Sequence, residues 1–194
     1  MSTETNPFNV EPPKIWFLFA IALVIGGVLA SSVWILTPYS YWLDELYSVT
    51  AANESLSSLR TILLGNVHPP LYQVLLKLWI LIFGDSELST RALSLGFATA
   101  AAVYLYSKIS KYGNVFCILT LLFFTTNWLY AFYANETRAY SMMLFFATLL
   151  ATNLPSENER PSLVFYASSI LLSLTHYFGL MITGVTLALY VLRY

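Results

Sequence analysis

The segment Trp42-Leu43-Asp44-Glu45-Leu46-Tyr47 places two adjacent carboxylates shortly after the first long apolar run of the chain, Ile15–Leu36. At 1.5 Å per residue this run makes a helix of about 33 Å, which is long enough to cross a bilayer. Ionisable groups this close to a span are costly to keep near lipid, so they mark functional sites by default. The sequence therefore predicts a functional site at the end of a membrane span. The alternative is a solvated loop.

The composition indicates an integral membrane protein. Hydrophobic residues make up 58% of the 194 residues and charged residues only 10%, whereas soluble domains carry about 25% charged residues. The net charge is -1 and no Lys/Arg cluster is present, so nucleic acid is not an expected partner. The single cysteine, Cys117, excludes an internal disulfide and is predicted to be a small packing residue.

The chain is predicted to form an all-α, polytopic transmembrane helical bundle with juxtamembrane helices in its first outer loop. Residues 1–14 form a flexible arm, residues 15–36 the first span, residues 37–91 the outer loop and residues 92–194 the further spans. Within the loop, apolar residues recur at helical spacing on both sides of a break at residues 53–55. Short amphipathic helices of this kind usually lie in the plane of the interface.

Leu71–Phe83 decides the predicted topology. Its length corresponds to about 20 Å of helix, short of the roughly 20 residues that a crossing needs, so we expect it to lie along the outer surface. The acidic pair then faces one side of the membrane, and the other side carries the basic residues Lys14, Lys108, Lys111, Arg160 and Arg193. If the segment crossed, all of these except Lys14 would join the acidic side. The positive-inside tendency favours the first arrangement.

The rest of the bundle follows from the later apolar runs. Ala92–Ser107 is the predicted second crossing, Val115–Tyr133 the third, and Ser141–Asn153 the returning segment. Ser162–Leu192 is long for one helix and short for two. We predict a break in this last run at residues 176–179, which returns the chain to the acidic face.

Four polar clusters fall on the predicted acidic face. They are Asp44-Glu45, His68-Pro69-Pro70-Leu71-Tyr72, Asn135-Glu136-Thr137-Arg138-Ala139-Tyr140 and Thr175-His176-Tyr177-Phe178. On these clusters the chain resembles the multispanning GT-C glycosyltransferases, specifically the protein-mannosyltransferase and aminoarabinose-transferase-like branch. The resemblance runs from Ile15 to the end. Such enzymes are typically more than twice this length, so we expect the chain to be the N-terminal part of one.

The resemblance implies a multi-pass protein of the cell membrane whose active face is extracytoplasmic. It implies an enzyme that moves a hexose or pentose from a polyprenyl-phosphate-linked donor to a hydroxyl acceptor on a lipid, glycan or protein. It also implies that an acidic residue of the first outer loop acts as general base or metal ligand. Carried over, that residue is Asp44, with Glu45 beside it, and both are the predicted catalytic residues.

The chemistry of sugar transfer accounts for the other predicted site residues. A carboxylate at roughly 2.6–3.2 Å can take the acceptor proton, and Arg138 can grip the departing phosphate bidentately. A divalent cation on the carboxylates can share this task and is the candidate cofactor. The predicted substrate-binding residues are His68, Tyr72, Arg138 and Tyr140, and the predicted metal ligands are Asp44, Glu136 and His176.

Each assignment has a simpler alternative. Glu136 and Arg138 could be headgroup-facing charges at a helix start. His68 could cap the loop before the Pro-Pro turn, and His176 could be a hydrogen-bonded residue at a helix break.

The whole chain also has two alternatives to an enzyme. Charges embedded in a membrane mark ion pathways, so a transporter or channel subunit is the second interpretation, although Ala92–Ser107 and Ser141–Asn153 carry no charge. A truncated, inactive relic of such a transferase is the third.

Overall fold

The computed structural model describes residues 40–65, 68–156 and 159–193, together with five isolated helical positions near the N-terminus, Leu18, Phe19, Ala22, Gly26 and Gly27. The predicted arm, residues 1–14, and most of the predicted first span lie outside the described residues. Every regular element in the described ranges is helical, which confirms the predicted all-α class.

Nine helices follow one another in the three described ranges. In chain order they are α1 (Leu43–Asn53), α2 (Leu56–Gly65), α3 (Leu71–Phe83), α4 (Glu87–Ile109), α5 (Asn114–Thr125), α6 (Trp128–Ala134), α7 (Tyr140–Thr152), α8 (Leu163–Thr175) and α9 (Tyr177–Arg193). A 3-10 turn, Ser110–Tyr112, follows α4. The break between α1 and α2 falls where it is predicted, and α3 has the predicted bounds.

The predicted second crossing begins at Glu87 rather than at Ala92. Ser86 is the cause, because its hydroxyl accepts the Ser89 N–H at 3.3 Å and caps the helix there. Arg91 therefore lies within α4 and not in the outer loop. The helix and its 3-10 extension form a continuous apolar unit, Glu87–Tyr112, that is long enough to cross a membrane.

The predicted third crossing, Val115–Tyr133, is wrong as a continuous helix. It is divided into α5 and α6, whose axes differ in direction by 59°. Asn127 has an extended backbone, and its side-chain oxygen accepts the Leu129 N–H at 2.9 Å, so it starts α6 anew. By length and composition, one described helix can span a membrane, or two spans result if the bent pair counts as one.

The predicted break in the last apolar run is present at His176, which has an extended backbone between α8 and α9. The chain folds back at this residue, and α9 packs against α8. Gly179 allows the close approach, because a Cβ atom there would overlap the carbonyl oxygen of Leu172. The four-residue polar cluster around His176 is thereby held at the end of two packed helices.

The main core lies between α3, α4, α7 and α8. Leu76 on α3, Met142 on α7 and Leu172 on α8 are almost completely buried in it. Close van der Waals contacts among these side chains stabilise the packing of the helices. Because these helices share one core, the loops at their ends are held in fixed positions relative to one another.

The close approach of α8 and α9 gives a testable consequence. Replacing Gly179 with Ala forces the two helices apart, and overpacking of this kind costs about 1–3 kcal/mol. We expect a clearly lower apparent melting temperature, measured by circular dichroism in detergent. The matched control is Gly184→Ala on the same helix, where an added Cβ meets nothing within 4 Å. Equal melting temperatures for the two variants would contradict the packing.

Candidate functional site

Glu45 is the most completely buried carboxylate of the site, with 1% of its surface exposed. Its two oxygens receive Arg91 Nε at 3.0 Å and Arg91 Nη2 at 2.7 Å. One of the same oxygens also accepts the backbone N–H of Thr137 at 2.9 Å. A buried charge is tolerated only when it is paired and hydrogen-bonded in this way. The carboxylate thus joins α1, α4 and the loop between α6 and α7.

Thr137 fixes the direction of that loop. Its side chain is fully buried, and its hydroxyl donates to Thr90 Oγ1 on α4 at 2.9 Å. The loop turns tightly here, since the Arg138 N–H donates to the Glu136 carbonyl oxygen at 2.8 Å. With Thr137 anchored, the two charged neighbours lie along different cavities.

Asp44 and Arg138 form a second, more open ion pair. The Nη2 of Arg138 lies 3.5 Å from Oδ2 of Asp44, and its Nη1 donates to the Asp44 carbonyl oxygen at 3.3 Å. The Asp44 side chain is 46% exposed, whereas that of Arg138 is 15% exposed. The carboxylate is therefore oriented by a cation and still accessible to a ligand.

One polar cavity of about 30 Å³ gathers the predicted substrate-binding residues. Although they come from separate clusters of the sequence, all four line it, together with one predicted metal ligand: His68, Tyr72, Arg138, Tyr140 and His176. We call it the polar cavity. Its volume suits one or two water molecules, which is less than the volume of a sugar ring.

The two histidines of the polar cavity are stacked, with ring centroids 4.6 Å apart. Burial lowers the pKa of His176 to about 4, and the nearby His68 and Arg138 act in the same direction. Burial also lowers the pKa of His68, and Arg138 adds to this effect while Asp44 opposes it. Both rings are thus neutral at pH 7, and Arg138 supplies the positive charge of the cavity.

The tautomer of His176 follows from its hydrogen bond. Its Nδ1 accepts the Phe178 N–H at 3.2 Å, which assigns the proton of the neutral ring to Nε2. That Nε2 is buried and has no hydrogen-bond partner among the described residues. The side-chain oxygen of Gln73, another residue of this cavity, is likewise without a partner there. The unused atoms of this cavity therefore include a hydrogen-bond donor on His176 and an acceptor on Gln73.

Glu136 and His176, two of the predicted metal ligands, line different cavities. Glu136 lines a second cavity of about 260 Å³ with Trp42, Trp128 and Phe132, whereas His176 lines the polar cavity. Among the residues that the structure describes, no three His, Cys, Asp or Glu side chains come together to hold a metal ion. The predicted ligands do not share one position, and the divalent cation stays a prediction.

Two residues of the site are absent from the sequence prediction. In the sequence, Gln73 is only a polar residue within the apolar segment that forms α3. It lines the polar cavity because it lies on the buried face of that helix, and the sequence does not show which face is buried. Arg91 has a recognisable signal, because an ionisable residue next to a long apolar run needs a partner. The sequence offers several acidic partners for it, and only the fold selects Glu45.

Comparison with protein-family models, curated proteins and solved structures finds no match for this chain. The GT-C resemblance therefore remains an expectation, and function is inferred from the residues and their geometry.

Two adjacent carboxylates of the site are expected to differ sharply in their effect on stability. Glu45→Gln leaves Arg91 buried without its counter-charge, and breaking a buried pair costs about 3–5 kcal/mol. Asp44→Asn weakens an exposed pair, which is worth about 0–1 kcal/mol. Thermal unfolding in detergent should therefore show a large loss for Glu45→Gln and a small one for Asp44→Asn. Similar losses would contradict a holding role for Glu45.

Proposed function

We propose that this protein is a membrane glycosyltransferase that moves a sugar from a polyprenyl-phosphate-linked donor to a hydroxyl acceptor at the extracytoplasmic face. The observation that carries the proposal is the half-exposed Asp44 carboxylate held beside Arg138, a residue that lines the polar cavity. A base and a phosphate-binding cation are the two groups that sugar transfer needs. Here they lie side by side.

Asp44 acts as the general base in this proposal. Its exposed carboxylate accepts the proton of the acceptor hydroxyl while that oxygen forms a bond to the anomeric carbon of the donor sugar. The bond between the anomeric carbon and the phosphate oxygen breaks, and its electron pair leaves with the polyprenyl phosphate. The ion pair with Arg138 holds the carboxylate in one orientation, as a general base needs before it accepts the proton.

Arg138 stabilises the negative charge that develops on the departing phosphate. A guanidinium offers several N–H donors in a fixed plane that matches phosphate oxygens. The guanidinium carbon of Arg138, Cζ, lies 5.9 Å from the centre of the Tyr140 ring, so the aromatic face helps to orient the guanidinium. The unused Nε2–H of His176 provides a neutral donor for another phosphate oxygen in the same cavity.

Glu45 has a positioning role in this proposal, in place of the catalytic role predicted from the sequence. Both of its oxygens are engaged by Arg91, and the carboxylate is closed to solvent. Its bond to the Thr137 N–H fixes the loop that carries Arg138. Glu45 therefore sets the distance between base and cation without touching the substrate.

The multi-pass membrane location is also a proposal, supported by the outer surface of the helices. Large apolar side chains lie exposed on α3, α5, α8 and α9, including Leu81, Phe123, Leu163 and Leu192. Soluble monomers rarely expose apolar surface on this scale. The predicted contact with membrane lipids accounts for it.

The surface location of α3 has its own support. Lys77 on α3 donates to the carbonyl oxygen of Ala52 at 3.0 Å and to that of Glu54, at the end of α1. A cation that covers the last carbonyls of a helix binds the negative end of the helix dipole. The 13-residue α3 is thus tied to the juxtamembrane helix α1, as a helix lying along the membrane surface would be.

The function is tested with the protein reconstituted in vesicles and supplied with polyprenyl-phosphate-linked hexoses and pentoses together with lipid, glycan or peptide hydroxyl acceptors. Release of free polyprenyl phosphate, measured by mass spectrometry, is the expected activity. Asp44→Asn should abolish it without loss of folded protein. A transporter subunit or an inactive relic predicts no release by the unaltered protein, and normal release by Asp44→Asn would end the base assignment.

The variant Arg138→Lys distinguishes two roles for Arg138: binding of the donor phosphate, and a positive charge that only contacts lipid headgroups. An ammonium keeps the charge but cannot reproduce a bidentate grip, so donor affinity or the transfer rate should fall about tenfold or more. Acceptor affinity should change little. If Arg138 only reaches lipid headgroups, Lys replaces it freely. Unchanged kinetics in a donor titration would therefore overturn the phosphate assignment.

The topology is tested by thiol labelling at Asp85, an exposed residue in the turn after α3. With Cys117→Ala as background, Asp85→Cys should react with a membrane-impermeant maleimide added from the extracytoplasmic side. The control is Lys111→Cys, which should react only from the cytoplasmic side. Labelling of Asp85→Cys only from the cytoplasmic side would overturn the surface placement of α3.

A further inference from the structure

The cavity lined by Glu136, which we call the aromatic cavity, is separate from the polar cavity. It has a volume of about 260 Å³, and its walls include Trp42, Trp128 and Phe132. The Glu45–Arg91 ion pair lies along its inner side. The loop around Thr137 divides the two cavities, since Glu136 lines one and Arg138 the other. The proposed sugar transfer makes no use of the aromatic cavity.

Glu136 brings an unused polar atom to this cavity. The residue is only 6% exposed, and its Oε2 is buried without a hydrogen-bond partner among the described residues. A buried polar group left unsatisfied costs about 1–3 kcal/mol, and more when it is charged. A carboxyl oxygen can be satisfied only by a hydrogen-bond donor or a cation. The cavity therefore lacks a donor that a ligand can supply.

The charges around the aromatic cavity leave it one positive charge short. Arg91 is engaged by Glu45 through two hydrogen bonds, and Arg138 pairs with Asp44 on the other side of the loop. Burial raises the pKa of Glu136 to about 7, and Glu45 and Asp44 add to this effect while Arg138 and Arg91 oppose it. A positively charged ligand would restore the ionised carboxylate and neutralise the cavity.

The walls of the cavity suit a cation as well. The rings of Trp128 and Phe132 are stacked with centroids 5.4 Å apart, and both residues are exposed at the cavity. Trp42 provides a further indole and is 47% exposed. Aromatic faces attract cations, with tryptophan the strongest of them. Aromatic walls, together with one acidic side chain that has no cationic partner among the described residues, describe a site for an organic cation.

We propose that the aromatic cavity binds a primary ammonium group, which donates to Glu136 Oε2 while its carbon frame lies against Trp42, Trp128 and Phe132. A quaternary ammonium has no N–H to satisfy the buried oxygen, and a hydroxyl brings no charge. The group can belong to the headgroup of a lipid or to a small soluble amine. This inference does not rest on the proposed sugar transfer, because it involves neither Asp44 nor the polar cavity.

The experiment compares two small rings that differ in charge. Cyclohexylamine is the probe and cyclohexanol is its neutral control, each titrated into the protein in detergent by isothermal titration calorimetry at pH 8. We expect cyclohexylamine to bind about tenfold or more tightly than cyclohexanol, since a charge-assisted hydrogen bond adds to the shared ring contacts. Equal affinities of the two probes would overturn the proposal.

The variant Glu136→Gln tests whether the amine binds at Glu136 in the aromatic cavity. The variant keeps the shape of the side chain but removes its charge, so cyclohexylamine affinity should fall about tenfold. Glu54→Gln is the matched control, because it makes the same change at an exposed position after α1. If Glu136→Gln fails to fold, Trp128→Leu takes its place and should weaken the amine about threefold through loss of a cation–π contact. An unchanged affinity in the folded variant would overturn the proposal.

The pH dependence gives an independent readout. An alkylammonium stays protonated well above pH 8, so its affinity should rise between pH 5.5 and pH 8 as Glu136 ionises. Glu136→Gln should remove this rise, since the histidines His68 and His176 lie in the other cavity. A rise that persists in the variant would show that another group binds the amine.

Nanodiscs separate the two sources of the ammonium group. If a lipid headgroup occupies the cavity, cyclohexylamine should bind more weakly in phosphatidylethanolamine than in phosphatidylglycerol, and Glu136→Gln should remove the difference. Equal binding in both lipids identifies a soluble amine as the ligand. A lipid dependence that survives Glu136→Gln would contradict headgroup binding in this cavity.

Discussion

The geometry of the site depends on one buried carboxylate. Glu45 accepts hydrogen bonds from two guanidinium nitrogens of Arg91 and from the N–H of Thr137, and these contacts join α1, α4 and the loop before α7. Removing two charged groups from water costs free energy, and the ion pair offsets that cost only when its hydrogen bonds have good geometry. A pair of this kind therefore adds little net stability but strongly disfavours alternative positions of the loop. The neighbouring Asp44 is placed by the same contacts that bury Glu45.

The anchored Thr137 separates two opposite chemistries. Arg138 enters a cavity with neutral histidines and becomes its only charged lining residue among those described, whereas Glu136 enters one with tryptophans. Opposite charges only two residues apart in the sequence can otherwise pair with each other. Fixing the residue between them keeps a cation available for anionic groups and an anion available for cationic ones. The hydrogen bonds of Thr137 to Glu45 and Thr90 therefore hold Glu136 and Arg138 at different cavities.

Much of this arrangement is accessible from the sequence. The bounds of α3 and the break at His176 follow from apolar periodicity and polar interruption, which are local properties. The four clusters also predict a shared site, and the residues predicted to bind substrate do line one cavity. The proximity of these residues could be predicted, because the turns that connect packed helices of similar length come together at the same end of a bundle.

The parts that could not be predicted depend on single hydrogen bonds or on helix faces. Asn127 divides an apolar run only because its side chain caps the next helix, and many asparagines in apolar runs do not. The adjacent Asp44 and Glu45 look equivalent in sequence, yet one is half exposed and the other is closed to solvent. Their difference is decided by Arg91, which lies 46 residues further along the chain. No local pattern contains that information.

The proposed function depends on binding of the donor's phosphate group by Arg138. This binding is tested most directly by solid-state NMR of protein labelled with 15N-arginine and reconstituted with a polyprenyl phosphate. A 31P–15N dipolar coupling that corresponds to direct hydrogen bonding, at about 2.7–2.9 Å between nitrogen and oxygen, is the expected result. The coupling should disappear in Arg138→Lys. Absence of the coupling in the unaltered protein, or its persistence in the variant, would contradict the account.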